Sequence, residues 1–383
     1  MNRIYTDHAA STPVHPLVAE EMLRVLTGTY GNASSVHAFG REAKRVVSSA
    51  RERVAAAIGA RTSDLVFTSG GTESDNMALF GAAAARSDRG RHLLVSQIEH
   101  HAVLHAAERL AQQGFEVEYI PVDTRGRVDM DWIREHTRPD TILISVMYAN
   151  NEVGTIQPVQ EIGAFARERG VWFHTDAVQA LGSLPVDCSS LNADLVSFSA
   201  HKINGPQGIG ALYTAPHIKL PAMLHGGNQE RKRRAGTENL AGMAGFARAA
   251  ELSVSALDER RAQSELLRGR LLEGLSASIG DSAFVVNGDP AHALAHIVNI
   301  SFPAVGTETM LMNLDMEGIA AASGSACTSG SLETSHVLRA MNLPENVLNS
   351  AVRFSFGLGN TSEEIDTIVK KIETITGRVR NKR

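Results

Sequence analysis

The segment DLVFTSGGTESDN (64–76) decides the fold class of this sequence. It begins with a short apolar run, continues through two glycines, and then opens a helical stretch with Thr, Ser and Asp. A continuous apolar run of this length is typical of a strand buried on both faces of a parallel sheet. The segment therefore predicts one strand-turn-helix unit of an α/β protein.

Similar apolar runs follow, separated by helix-like stretches, as far as residue 214. They are HLLVS (92–96), FEVEYI (115–120), TILISVM (141–147), VWFHT (171–175), ADLVSF (193–198) and GALYT (210–214). Strands that alternate with helices build mostly parallel sheets. Together with residues 64–68, these runs predict a mostly parallel sheet of seven strands.

The last third of the chain has a different pattern and predicts a second, smaller α+β domain. Its predicted elements are a strand (295–303), a helix (307–316), a loop of small residues (323–331), a strand (353–357) and a last helix (362–378). The stretch 241–278 reads as one long helix that contains the domain boundary. We therefore expect a large domain over residues 15–260 and a small domain formed by residues 1–14 and 261–383.

The overall charge and the apolar runs exclude several classes of protein. The 383 residues include 37 Lys and Arg against 42 Asp and Glu, a net charge of −5, which excludes nucleic-acid binding driven by bulk positive charge. No apolar run approaches the ~18 residues of a membrane helix, and the start, MNRIYTDHAA, has no signal-peptide core. We expect a soluble cytoplasmic protein that contacts neither membrane nor nucleic acid directly.

The turn in TSGGTESDN (68–76) has the character of a phosphate site. Free backbone N–H groups and the helix dipole at such a turn favour an anion, and the pattern fits neither a dinucleotide fingerprint nor a P-loop. A single phosphate group is therefore expected. A simple capped helix is the alternative for this segment alone.

Lys202, in SFSAHKINGPQGIG (197–210), is the lysine best placed to form an imine. The other six lysines lie in charged helical or terminal stretches, a basic cluster or a Pro-flanked loop, whereas Lys202 follows a strand and is framed by small residues. Desolvation there favours the neutral amine that an imine requires. The alternative is a surface lysine in a turn.

Asp176, in HTDAVQALG (174–182), is a carboxylate at the end of a predicted buried strand. A buried carboxylate is costly unless it meets a cation. The pyridinium nitrogen of pyridoxal phosphate would supply that cation, and this cofactor also needs the imine lysine and the phosphate turn. The three features together therefore indicate pyridoxal 5′-phosphate.

Histidines follow another predicted strand, in IEHHAVLH (98–105). His101 and His105 have the spacing of a metal pair, but no acidic or cysteine ligand is spaced to complete it, so no metal is expected. His100, at the strand end, is better placed to stack on a flat cofactor. A helix-capping role is the alternative for His100.

The two cysteines have different surroundings and cannot form a disulfide framework. Cys327 lies among small residues between two glycines in SGSACTSGS (323–331), which predicts a mobile loop that presents a nucleophile. Cys188 reads as a small buried anchor. Arg353 lies within a strand-like apolar run and would hold a substrate carboxylate bidentately, or else form an internal salt bridge.

The motifs occur in an order that resembles the cysteine desulfurases, the class V branch of the fold-type I pyridoxal-phosphate-dependent transferases, in their long Cys-loop group. The resemblance covers residues 5 to about 375. The matching segments are YTDHAASTP (5–13), YGNASSVH (30–37), TSGGTESDN (68–76), YANNEVG (148–154), HTDAVQ (174–179), SFSAHKINGPQGIG (197–210), HGGNQERKRRAGTEN (225–239), the cysteine loop and RFSFG (353–357).

The resemblance implies a role for each site residue. Lys202 would form the imine with the cofactor, His100 would stack on its ring, Asp176 would pair with the ring nitrogen and Gln179 would bond the phenolic oxygen. The phosphate would be held by Gly71, Thr72, Ser199 and His201, with Thr237 from the neighbouring subunit of a homodimer. Asn151, Arg353 and Asn32 would hold the substrate carboxylate, and Cys327 would be the nucleophile.

The activity implied is removal of sulfur from L-cysteine, giving L-alanine and a persulfide on Cys327. The sulfur would pass to an acceptor protein, an iron–sulfur scaffold or a tRNA thiouridylase, for iron–sulfur cluster assembly or tRNA thiolation. Two alternatives stay open. One is a selenocysteine lyase or another class V transferase, and the other is a non-catalytic interaction subunit of a sulfur-transfer system.

Overall fold

The computed structural model describes residues 3–324 and 334–380, which form twelve strands and twelve α-helices. The strands are β1 (Ile4–Tyr5), β2 (Leu65–Thr68), β3 (His92–Ser96), β4 (Glu116–Ile120), β5 (Thr141–Ser145), β6 (Trp172–Asp176), β7 (Leu195–Ser199), β8 (Gly210–Thr214), β9 (Val285–Asn287), β10 (Ile297–Ser301), β11 (Ile319–Ala320) and β12 (Ala351–Ser355). The helices are α1 (Pro16–Gly28), α2 (Ala38–Ala57), α3 (Gly71–Ala85), α4 (His101–Gln112), α5 (Met130–His136), α6 (Val159–Arg169), α7 (Leu240–Ser255), α8 (Leu257–Ile279), α9 (Thr307–Met316), α10 (His336–Ala340), α11 (Glu345–Leu348) and α12 (Ser362–Arg380).

The central sheet has seven strands in the order β2-β8-β7-β6-β5-β3-β4. Strand β8 is antiparallel to both of its neighbours, and the other pairs are parallel. The α/β class and the mostly parallel seven-stranded sheet expected from the sequence are therefore confirmed. The segments that follow β2, β3, β5, β6 and β7 all begin at one edge of this sheet, which is where such folds bind their ligands.

Helix α3 is buried on most of its surface because small and apolar residues follow its glycine turn, in GTESDNMALFGAAAA. It packs against strands β5 to β8 of the central sheet. This packing takes the polar residues of its first turns, Ser74 and Asp75, out of solvent with it. The sequence thus places a carboxylate beneath the carboxyl edge of the sheet.

A second, smaller hydrophobic core lies apart from the core of the central sheet. It is formed by the antiparallel sheet β12-β10-β9, the parallel pair β1 and β11, and the apolar faces of α8, α9 and α12. Helix α10 contributes Val337 and Leu338 to the larger core instead, together with Met341 directly after the helix. The domain division at residue 260 stays a prediction.

The long helix expected over residues 241–278 is in fact two helices, and this prediction was wrong. Helix α7 ends and α8 begins at Ala256, which has φ −103° and ψ 19°. No glycine or proline marks the break. In the first turn of α8, the Arg260 guanidinium donates to the carbonyl of Gly182 (3.1 Å) and to Oδ1 of Asn204 (3.0 Å), so tertiary contacts direct the new helix axis.

Residues 5–13, here named the N-terminal strap, run from the smaller core to the turn that follows β7. Strand β1 pairs with β11, and the Ala9 amide donates to Oγ of Ser355 (2.8 Å). Further along, the Thr12 amide donates to the carbonyl of His201 (3.0 Å). The strap therefore brings chain from the smaller core to the carboxyl edge of the central sheet. Within the described residues, no helix is both long and apolar enough to cross a membrane.

Candidate active site

A cavity of about 260 Å³ opens at the carboxyl edge of the central sheet, beneath the N-terminal strap. Nine residues that the sequence analysis singled out line it together. They are Gly71, Thr72, His100, Asn151, Asp176, Gln179, Ser199, His201 and Lys202. Their positions in the sequence span more than a hundred residues, and the parallel strands bring them to one edge. Their individual roles stay predictions.

The glycine turn before α3 has a geometry that only glycines accommodate. Gly70 has φ 153°, which L side chains rarely adopt, and a Cβ on Gly71 would lie 2.9 Å from Cγ2 of Val178. The helix start has no side-chain cap, so the capped-helix alternative does not describe it. The uncapped N–H groups of α3, with Ser199 and His201 beside them, form a cup suited to a phosphate.

Lys202 lies in the short 3₁₀ turn that follows β7, and the strap positions its amine. Its Nζ donates to the carbonyls of Ala9 (2.5 Å) and Ala10 (2.8 Å). The side chain of Gln179 also donates to the carbonyl of Ala9, over 2.9 Å. The strap therefore holds the lysine at the cavity wall, and any shift of the strap moves the acceptors of this amine.

Asp176 ends β6 and is buried, with its Oδ1 accepting from the Val178 amide (2.8 Å). Burial and the neighbouring carboxylate of Asp75 raise the pKa of Asp176 to about 7. An ionised Asp176 is therefore disfavoured in the protein alone. A cation placed against it would lower that pKa again, as a pyridinium nitrogen does.

Behind Asp176 lies a set of buried polar residues that sequence reasoning missed. His174 contacts Oγ of Ser145 (2.9 Å) and Oγ of Ser197 (3.1 Å), and burial lowers its pKa to about 4. Its Nε2 lies 3.6 Å from Oδ1 of Asp75, whose pKa burial raises to about 7. The alternation in HTD, which places His174 and Asp176 on one face of β6, was a usable signal.

Glu99 is the other missed group. It is fully buried, and one of its oxygens accepts from the Met147 amide (2.6 Å) while Oε2 has no hydrogen-bond partner. Burial raises the pKa of Glu99 well above its usual value, and the charges of Asp176 and Asp75 add to this. A glutamate between an apolar run and His100 was the available signal.

His100 precedes α4 and both caps the helix and faces the cavity. Its Nδ1 accepts from the Ala102 amide (3.2 Å), so the neutral ring carries its proton on Nε2. Burial, followed by the charge of Lys202, lowers the pKa of His100 to about 4. His101 and His105 stack on each other with ring centres 5.0 Å apart. Among the described residues no cluster suited to a metal ion occurs.

Arg353 is fully buried and forms the internal ion pair that the sequence left open. Its guanidinium donates to Oδ1 of Asp7 (2.6 Å) and to the carbonyl of Asn151 (2.9 Å), while its Nε has no partner. It does not line the cavity. Asn151, whose carbonyl accepts a hydrogen bond from Arg353, does line the cavity.

Two predicted site residues lie away from the cavity of their own chain. Asn32 is exposed between α1 and α2, where its Oδ1 accepts from the Ser34 amide (2.9 Å). Thr237 borders a separate cavity of about 160 Å³ together with Ser69 and Arg234.

The structure describes only one of the two cysteines. Cys327 lies outside the described residues. Cys188 is buried, and its amide donates to the carbonyl of Ile58 (2.8 Å). Burial raises the pKa of its thiol, so this cysteine is a poor nucleophile.

The seven-stranded sheet, with a lysine, a buried carboxylate and a glycine turn at its carboxyl edge, defines the fold-type I transferases, a class that uses pyridoxal phosphate. Within that class the chain belongs to the aminotransferase class-V family, whose model matches residues 4–368. The family resemblance drawn from the motifs is therefore confirmed.

Relatives similar to this chain are named as cysteine desulfurases. Proteins called cysteine desulfurase IscS from Methanosarcina thermophila and Dictyoglomus turgidum are 47% and 45% identical to it, over 99% and 98% of this chain and 93% and 95% of theirs. A solved structure described as a NifS-like protein has 37% identity and a TM-score of 0.92, covering 98% of this chain and all of that one.

Proposed function

We propose that this chain is a cysteine desulfurase, which takes sulfur from L-cysteine and releases L-alanine. The observation that carries the proposal is the placement of Lys202, Asp176 and the glycine turn around one cavity. Full-length relatives that carry this name support it.

The residues around the cavity fit pyridoxal 5′-phosphate. The uncapped start of α3, with Ser199 and His201, would hold the phosphate, and Asp176 lacks the cation that a pyridinium nitrogen would give it. His100 would lie against the ring and Gln179 near its phenolic oxygen. When bound, the cofactor supplies an aldehyde that forms an imine with an amine and a ring that takes up electrons from the substrate α-carbon.

In this proposal, side chains of the protein itself hold and move the protons. Lys202 would bind the aldehyde of the cofactor, and its amine, placed beside the substrate, would remove the substrate α-proton. The carbonyls of Ala9 and Ala10 accept hydrogen bonds from this amine and hold it at the cavity wall. Asp176 would hold a proton at the ring nitrogen of the cofactor, which would favour electron uptake by the ring.

The hydrogen bond between His100 and helix α4 determines which ring nitrogen carries the proton in the resting protein. With Nδ1 accepting from the Ala102 amide, Nε2 carries the proton and is a donor towards the cavity. The low pKa of about 4 makes the neutral ring the resting form. As a proton carrier, this neutral ring would first take up the proton of the Cys327 thiol and would then give a proton to the departing substrate carbon.

The sulfur step balances without an added oxidant. The thiolate of Cys327 attacks the sulfur of L-cysteine, so an S–S bond forms while the C–S bond breaks. The electron pair of that bond stays with the substrate carbon, which is protonated and leaves as L-alanine. Cys327 is left as a persulfide, which passes its outer sulfur to the thiol of an acceptor protein, an iron–sulfur scaffold or a tRNA thiouridylase.

The decisive experiment measures products from L-cysteine. We expect the pyridoxal-phosphate-loaded protein to form L-alanine and, with a reducing thiol, one sulfide for each alanine. Parallel assays with L-selenocysteine separate the alternative activity, since a selenocysteine lyase would act on that substrate and leave L-cysteine untouched. A chain that formed no alanine from either substrate would instead be a non-catalytic subunit.

We propose further that the protein acts as a homodimer. Asn32 and Thr237, both matched to site residues of the family, lie away from the cavity of their own chain. Large apolar side chains near Asn32 are strongly exposed, with Tyr30 at 77% and Val36 at 90%. A partner subunit would cover this surface and receive the two residues at its own cavity.

Mixing two variants tests whether Thr237 acts on the partner site. A Thr237→Ala chain lacks a phosphate contact, and we expect its homodimer to bind the cofactor roughly 10-fold more weakly or worse. In a heterodimer with a Lys202→Ala chain, action across subunits leaves one site with both residues intact. Half of the sites should then bind with wild-type affinity in an absorbance titration. If Thr237 served its own chain, no wild-type site would appear.

Replacing Asp176 with Asn should change the stability of the cofactor-free protein in a pH-dependent way. The pKa of Asp176 is raised to about 7 in the folded chain, so ionisation of this group opposes folding as pH rises from about 4 to 7. The variant should gain stability over the wild type across that window, by about 4 kcal/mol at the upper end, since the shift is about three units at about 1.4 kcal/mol each. Thermal melts from pH 5 to 8 measure this gain, and Asp187→Asn, on the surface, is the control. With cofactor added the order should reverse, because Asn cannot hold the pyridinium charge.

A further inference from the structure

A second and larger cavity, of about 630 Å³, lies on the other side of the N-terminal strap. Its walls come from the junction of α7 and α8, the segment 291–296 and the loop 356–360. His8 and Thr12 of the strap face this cavity, whereas Ala9 and Ala10 face the candidate active site. The strap thus lies between two cavities, which adjoin at Lys202 because this residue lines both. The volume of the second cavity is within the usual range for small-molecule sites.

Arg260 is the main charged group of this second cavity. Its guanidinium donates to two neutral acceptors, the carbonyl of Gly182 and Oδ1 of Asn204. Across the part of the chain that the structure describes, no ion pair includes Arg260, and burial alone lowers its pKa. Arg260 is only partly exposed, and a partly buried guanidinium without a carboxylate keeps an uncompensated charge unless an anion reaches it.

Two histidines, His8 and His296, line the same cavity, and the charge of Arg260 acts on both. His8 is 4% exposed, and its Nδ1 has no hydrogen-bond partner. Burial and then the charge of Arg260 lower the pKa of His8 to about 4, and the same two causes lower that of His296 to about 3. No carboxylate of the described residues offsets this at either ring, so both rings are neutral and the charge of Arg260 has no counter-ion beside them.

The carboxylates that border the cavity lie at its outer edge. Glu259 is exposed, and Glu265 accepts from the guanidinium of the neighbouring Arg261 (2.8 Å) on the exposed face of α8. The rest of the wall is largely apolar, with Leu252 and Phe356 among its residues. A ligand that fits this cavity would combine one anionic group with an apolar body.

We propose that the second cavity binds a small organic carboxylate, with the anionic group on Arg260 and the apolar part against Leu252 and Phe356. A carboxylate matches the planar donor fork of a guanidinium and neutralises its charge. His8 and His296 then lie beside an anion instead of beside an unpaired cation. The proposal does not rest on the desulfurase reaction, although the site adjoins the cofactor cavity at Lys202.

The test uses the cofactor-loaded full chain and calorimetric titration with hexanoate and benzoate. Hexanol and hexylamine, which share the apolar chain but not the negative charge, are the matched probes. The variant Arg260→Gln keeps an amide donor for Asn204 and removes the charge, and Arg261→Gln is the control at the edge of the same cavity. We expect the carboxylates to bind the wild type and Arg261→Gln equally, and Arg260→Gln at least 10-fold more weakly.

Either of two results overturns the proposal. One is the absence of saturable binding by both carboxylates, and the other is equal binding of hexanol and hexanoate. Should Arg260→Gln fold poorly, the wild type still decides the question through ¹³C-labelled histidine. Hexanoate should then shift the resonances of His8 and His296 and leave that of His136, which stacks on Trp132, unchanged. No shift at His8 or His296 would equally exclude the site.

Discussion

Replacing Lys202 with Ala is expected to abolish covalent cofactor attachment and to lower desulfurase turnover by about 1,000-fold or more. Both the imine and the base that removes the α-proton are lost together, and a positioned general base alone contributes about 10²–10⁴-fold. Noncovalent binding should persist, because the glycine turn, Ser199 and Asp176 remain in place. The yellow colour of the imine should be absent from the purified variant.

Borohydride reduction followed by peptide mass spectrometry checks this result directly. In the wild type the reduced cofactor should be found on the peptide that contains Lys202. Lys219→Ala is the matched control, since this lysine lies in a surface loop after β8 and should leave both attachment and turnover unchanged. Attachment to a peptide with any other lysine would show that the imine residue has been misassigned.

Replacing Cys327 with Ser is expected to stop sulfur release while cofactor binding and substrate binding continue. A serine hydroxyl does not attack the substrate sulfur, so neither persulfide nor L-alanine should accumulate, and the loss should exceed about 1,000-fold. Labelled sulfur from L-cysteine, followed on the protein after gel filtration, measures the persulfide.

Cys188→Ser is the matched control for this experiment. The Cys188 thiol is buried, with its pKa raised, and it cannot receive sulfur from a substrate at the cavity. Turnover should be close to that of the wild type, with some loss of stability from the buried hydroxyl. Sulfur label retained by Cys327→Ser and lost in Cys188→Ser would reverse the assignment of the nucleophile.

Residues at strand ends were the part of the site that the sequence predicted best. Lys202 and Asp176 stand out because a charged group directly after an apolar strand is unusual, and parallel strands then bring such ends together. Glu99 and His174 escaped notice because their burial depends on the packing of α3 and α4 over the sheet. The alternation in HTD and the position of Glu99 after an apolar run were local signals for these residues, but a local pattern does not give the packing that buries them.

Other features were beyond sequence reasoning for similar reasons. The break at Ala256 has no glycine or proline and follows from contacts of Arg260 with distant loops. The second cavity brings together His8, Arg260 and His296, which are far apart in the chain, so the sequence did not indicate that they are neighbours. For Arg353, the sequence supported both a substrate contact and an internal ion pair, and only the position of Asp7 shows that the pair forms.

The N-terminal strap also has a consequence for the order in which the protein matures on the ribosome. The strap contacts residues that are synthesised much later, since Ala9 bonds Ser355 across 346 positions and Asp7 pairs with Arg353. Contacts of such high sequence separation form late. We therefore expect the carbonyls that position the amine of Lys202 to be anchored only after residues 353–355 have left the ribosome, so that a shorter nascent chain binds the cofactor weakly.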